Sequence, residues 1–155
     1  PDGRSNILCA GESRFRIIRI SGKVPYWKAH VELFEDVEEP EDQIKPHYDE
    51  VVRLYKLALD LASQLRPGKP ADINIPESPV ALSYMVSYVL ELDFEEKQRL
   101  LEMISTMERL ETLQLHLAQT VSQLRRQVDA LGGGHQFVRF HLADEIVSHR
   151  LAELD

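Results

Sequence analysis

Between Leu110 and Leu131 the apolar residues Leu110, Leu113, Leu117, Val121, Leu124, Val128 and Leu131 fall at steps of 3, 4, 4, 3, 4 and 3. Those steps place all of them on one narrow stripe of a helix running from about Met107 to Leu131. Such a stripe stabilises a helix only when something covers it. Either a second copy of the chain supplies the cover, giving a homo-oligomer through the long helix, or the chain's own helices do. Because the preceding segments also have apolar faces that need partners, internal packing is favoured.

Those segments are legible from their caps. Ser78-Pro79 pairs an N-cap with proline at the first helical position and opens a very apolar helix through Val80, Leu82, Met85, Val86, Val89 and Leu90. This helix is expected to be the most buried. Asp93 three residues before Glu96, and Ser105 three before Glu108, repeat one capping signature and start two further helices. Upstream, Val51, Val52, Leu54, Tyr55, Leu57, Ala58, Leu61, Ala62 and Leu65 predict a helix from about His47 to Leu65. Arg66-Pro67-Gly68 ends it, and Lys69 to Glu77, with Pro70 and Pro76, forms a loop.

The first third obeys a different period. Asn6–Ala10, Arg14–Ile20 and Trp27–Phe34 predict three short strands separated by glycine-containing turns, an antiparallel meander. In the last of them Ala29, Val31 and Leu33 alternate with Lys28, His30 and Glu32, the signature of a sheet with one wet face. Phe15, Ile17, Ile18 and Ile20 break that alternation, so the middle strand is expected to bury more of both faces. The acidic stretch from Glu35 to Asp42 has neither period and reads as a solvated connection.

Charge follows the same division. Residues 1–24 carry a balance of +3 and residues 25–50 one of −7, within a net charge of −8. No apolar run reaches the ~20 residues of a membrane span. The best, Val80 to Leu92, is interrupted by Ser83, Ser87 and Glu91. Pro1 to Asn6 is too polar for a secretory signal, and one cysteine, Cys9, excludes an internal disulfide, so a cytoplasmic location is expected.

Two ordered stretches carry a family resemblance. Gly11-Glu12-Ser13-Arg14-Phe15-Arg16, followed by Tyr26-Trp27-Lys28-Ala29-His30-Val31-Glu32, is similar to the middle of the amino-terminal domain of Lon-type ATP-dependent proteases. Pro1-Asp2-Gly3-Arg4 before Asn6-Ile7-Leu8 resembles that family's polar turn. Leu90-Glu91-Leu92-Asp93-Phe94-Glu95-Glu96-Lys97-Gln98-Arg99-Leu100-Leu101-Glu102 resembles its junction between an apolar helix and the next, and Met107-Glu108-Arg109-Leu110 the start of the one after. The resemblance covers roughly residues 1 to 130. The family's opening strands, with their proline-rich segment, have no counterpart here. An open meander would leave an unpaired edge, so trimming or strands from elsewhere are expected. The tail after Gly132 resembles nothing familiar.

What the resemblance implies is a PUA-like barrel meander followed by a helical bundle, and recognition of unfolded or degron-bearing protein substrates for ATP-dependent proteolysis, beside the ATPase and peptidase domains of a parent protease. No phosphate-cradling glycine-lysine motif and no credible nucleophile with its base is present, so neither catalysis nor a cofactor is expected. Tyr26, Trp27 and Phe34 are the candidate protein-binding residues, since aromatic side chains dominate contact surfaces. Core packing would equally explain them.

Three other features have simpler readings. His141, Glu145 and His149 share one face of a possible tail helix, with His135 nearby, but lack tight metal-ligand spacing, so no metal is expected. Arg14, Arg16 and Arg19 could line nucleic acid in an RNA-binding barrel, yet neutralisation by the adjacent acidic stretch is the simpler explanation. His30 and His47 read as surface residues. The expected architecture is α+β: a partial β-barrel subdomain over 1–45, a helical subdomain over 46–131 ending in a long helix, and a glycine linker with an amphipathic tail over 132–155. The remaining reading is a helical oligomerisation module.

Overall fold

A computed structural model describes residues 11–22, 26–65 and 74–131. The expected strand at Asn6–Ala10 and the tail after Gly132 lie outside them. The described residues form two strands and four helices: β1 (Arg14–Ser21), β2 (Lys28–Phe34), α1 (Glu41–Leu65), α2 (Pro79–Val89), α3 (Phe94–Glu102) and α4 (Thr106–Leu131). This is an α+β fold with a long last helix. The chain divides into two compact units between Val37 and Glu38.

In the first unit β1 and β2 pair antiparallel, with Phe15 opposite Leu33, Ile17 opposite Val31 and Ile20 opposite Ala29. A bulge between Ile17 and Arg19 inserts one residue into β1. The insertion shifts parity, so Ile20 joins Phe15 and Ile17 on one face although it stands three positions after Ile17. The broken alternation of β1 therefore marks a bulge and not a strand buried on both sides: Phe15, Ile17, Ile18 and Ile20 are all exposed. At the end of β1, Gly22 takes a φ of 80°, a left-handed conformation that strains any side chain.

The second unit holds the core. Val51, Leu54, Tyr55, Ala58 and Leu61 of α1 pack with Leu82 and Val86 of α2, Leu100 of α3, and Leu110, Leu113, Leu117, Val121 and Leu124 of α4. The stripe on α4 is thus consumed inside the chain, with Val128 packed against the core's margin. An oligomer through that stripe would have to unpack the core.

Three contacts fix how α1 and α4 run. Glu39, just before α1, accepts from the Ser105 hydroxyl and from the Met107 amide, 66 and 68 residues away. The Gln114 amide donates to the carbonyl of His47, 67 residues away. A constant offset means that the two helices lie parallel. At 25 and 26 residues each spans about 38 Å, so α2 and α3 serve as the return connection.

The caps behave as their sequences specify. The Ser78 hydroxyl accepts from the Ala81 amide, Asp93 from Glu96 at 2.7 Å, and Ser105 from Glu108 at 3.0 Å. Two expectations fail. Helix α1 begins at Glu41, not near His47, and runs through Pro46. Ile44 and Tyr48 pack on the core and offset the hydrogen bond that proline cannot donate. Helix α2 is not the most buried, because Val80 and Tyr88 face solvent while α4 buries residues over five turns.

Candidate protein-binding surface

The surface begins with a ladder whose two faces differ in chemistry. Phe15, Ile17, Ile20, Val31 and Leu33 line one face, and each is about half exposed or more, with Leu33 at 68%. Among the described residues nothing covers this face. At its end Trp27 is 67% exposed and joins Ile17, Ile20, Lys28 and Ala29 around a shallow open hollow of about 400 Å³. Isolated apolar residues on a surface are ordinary, whereas a contiguous group with an aromatic at its edge marks a contact surface.

The opposite face is polar and internally matched. Arg14 forms an ion pair with Asp36 and lies 4.5 Å from the Phe34 ring centroid, while Arg16 lies 5.3 Å from the same ring and opposite Glu32. Arg19 donates to Nε2 of His30 across the ladder at 3.1 Å. Arg14 is thus engaged by the acidic stretch, and Arg16 and Arg19 by aromatic and imidazole neighbours on the ladder.

The structure does not bring the three candidate aromatics together. Trp27 belongs to the apolar hollow. Tyr26 is exposed beside it, with the Lys28 ammonium 5.4 Å from its ring. Phe34 lies half-buried beneath two guanidinium groups on the other face. What sequence reasoning missed is the aliphatic partner set of Trp27, hidden because the bulge disguises the alternation of β1.

In the helical unit the polar groups serve packing. Arg109 is fully buried. Its guanidinium donates to the Ser83 hydroxyl and the Met103 carbonyl, each at 2.8 Å, and to the Thr106 hydroxyl at 3.2 Å, and lies 4.3 Å from the Tyr84 ring. Glu96 accepts from Arg99 and, at 2.6 Å, from His116, bonds that hold its carboxyl down at about 2 despite the opposing effect of burial. His47 is no free surface residue but a half-buried contact between α1 and α4, within 3.2 Å of Gln114 and 3.5 Å of Glu111. No group of three or more potential metal ligands occurs among the described residues, and the His141, Glu145, His149 set falls outside them. No described helix is long and apolar enough to cross a membrane.

By fold this is an α+β module with a packed helical core and an apolar, aromatic-edged β-hairpin. The family model of the ATP-dependent protease La (LON) substrate-binding domain matches residues 1–119. The chain belongs to that family. Lon protease of Methylocella silvestris is 30% identical over 124 residues, covering 80% of this chain and 15% of the relative. Lon protease of Phenylobacterium zucineum is 31% identical over 126 residues, covering 81% and 16%. Lon protease 2 of Herpetosiphon aurantiacus is 30% identical over 126 residues, covering 80% and 15%. The chain therefore spans about one-sixth of the length of these relatives.

Proposed function

We propose that this chain is a non-catalytic module that recognises exposed apolar segments of unfolded or degron-bearing proteins and presents them for ATP-dependent proteolysis. Its family membership supports substrate binding as the task, and the exposed apolar face ending at Trp27 carries the reading for this chain. The hollow beside Trp27 is of a size to take a large side chain, and displacing water from it supplies the driving force. The apolar face selects for what folded proteins hide, so the discrimination is between unfolded and native states rather than between sequences. The ATPase and peptidase work belongs in this scheme to partner domains of a parent protease, in the cytoplasm, where a lone cysteine stays reduced.

The experiment is a binding titration against a permanently unfolded model protein and its native form. Affinity is expected for the unfolded form alone, and Trp27→Ala is expected to cost about 2 kcal/mol, roughly thirtyfold. Phe34→Ala, on the other face, serves as the comparison and is expected to leave affinity within a few-fold. Equal, negligible binding to both forms of the model protein would refute the proposal.

A further inference from the structure

The boundary between the two compact units falls between Val37 and Glu38, and an anchored residue stands on either side of it. On the β side Asp36 is ion-paired to Arg14, and both side chains are largely buried, at 11% and 14% exposure. Arg14 is held in turn against the Phe34 ring. On the helical side both carboxylate oxygens of Glu39 are bound at the start of α4, by the Ser105 hydroxyl and the Met107 amide. That position also favours a negative charge, because the first amides of α4 point toward it. Glu39 precedes Pro40, which further restricts its backbone to extended conformations.

We infer that Val37 and Glu38 form a two-residue joint between the β unit and the helical unit, and that the Asp36 and Glu39 carboxylates are clamps that keep it that short. Residues 35–40 form neither helix nor strand, so without the clamps the joint would extend from Glu35 to Glu39. Both residues of the joint are exposed, so neither is fixed by packing. The acidic stretch that looks like a uniform solvated connection thus divides into two roles: Asp36 and Glu39 hold, while Val37 and Glu38 turn. A short joint limits the orientations in which the hairpin surface can be presented, whatever that surface binds.

The test is a distance distribution between spin labels in the two units of the full chain, at Glu32→Cys and Gln119→Cys, in a Cys9→Ser background. Since the spread of a flexible segment grows as the square root of its length, Asp36→Ala with Glu39→Ala should broaden the distribution roughly 1.6-fold and Glu39→Ala alone roughly 1.2-fold. Val37→Pro, which leaves both clamp carboxylates in place and restricts the backbone of residue 37 and of Asp36 before it, should narrow it. Circular dichroism must show unchanged helix content in each variant, and Glu50→Ala, in an exposed pair within α1, should leave the width unaltered. A double variant as narrow as the parent, or a parent already as broad as the double variant, would overturn the inference. So would a Val37→Pro chain of unchanged width.

Discussion

At the scale of single residues the helical unit is organised around two polar centres that differ in burial. Arg109 directs hydrogen bonds at α2, at the turn before α4 and at α4 itself. Removing it takes one donor each from the buried Ser83 hydroxyl and the Met103 carbonyl and opens a cavity under Tyr84. Arg109→Ala is therefore expected to lower unfolding free energy by about 3 kcal/mol in urea denaturation. Arg109→Lys should recover only part, because an ammonium cannot reproduce the planar fork. Glu96 is closer to solvent, with a side chain 19% exposed. Its carboxyl titrates below its ordinary value of 4.5, so it stabilises the fold above that pH, and the contribution is lost as pH falls from 4.5 to about 2. Allowing for solvent screening, about 1 kcal/mol is expected to disappear over that window. Glu96→Gln should flatten this part of the pH–stability profile, measured by thermal or urea unfolding.

At the scale of elements, the α4 stripe sets the energetics. Leu117 is fully buried against the core, whereas Leu115, two residues earlier, faces solvent. Leu117→Ala is expected to cost about 3 kcal/mol and Leu115→Ala less than about 0.5 kcal/mol, read from the shift in urea midpoint. This contrast was legible in the sequence, because local periodicity and capping depend on residues three and four apart. The same holds for the starts of α2, α3 and α4, each fixed by a side chain one turn away from the amide it caps. What was not legible is non-local. Nothing near Pro46 shows that Ile44 and Tyr48 find a core strong enough to carry a helix through it. The Glu39 cap on α4 joins residues 68 apart in sequence. Arg109 could have been suspected, since it stands four residues before Leu113 and eight before Leu117, on the flank of the stripe. Of the candidate site, Trp27 was identified by residue type alone, but its aliphatic neighbours required the bulge that only pairing reveals.

At the scale of the whole molecule the two units differ in how they are stabilised. The helical unit buries a continuous core, while no residue of β1 or β2 is buried. A two-stranded ladder with one face in water has little to oppose local opening. Amide hydrogen exchange is expected to be faster across β1 and β2 than in the centres of α1 and α4. Comparable protection in both units would show that the hairpin is covered by a surface beyond the described residues. The same difference bears on the proposed function. A surface that binds apolar segments must remain available to them, and the stability it forgoes has to come from elsewhere in the chain, here from the helices.

The parallel alignment of α1 and α4 has a further consequence, which lies in the time at which the protein is made. The groups that bond Glu39 and His47, at the start of α4 and along it, are encoded 66 to 68 residues downstream. At translation rates of about 5 to 20 residues per second, α1 emerges from the ribosome roughly 3 to 13 s before the part of α4 that covers it. Helix formation itself takes microseconds, so throughout that interval the apolar face of α1 waits for α4, with α2, made sooner, to cover part of it. The nascent chain is thus, for a few seconds, the same kind of object that its finished form is proposed to recognise.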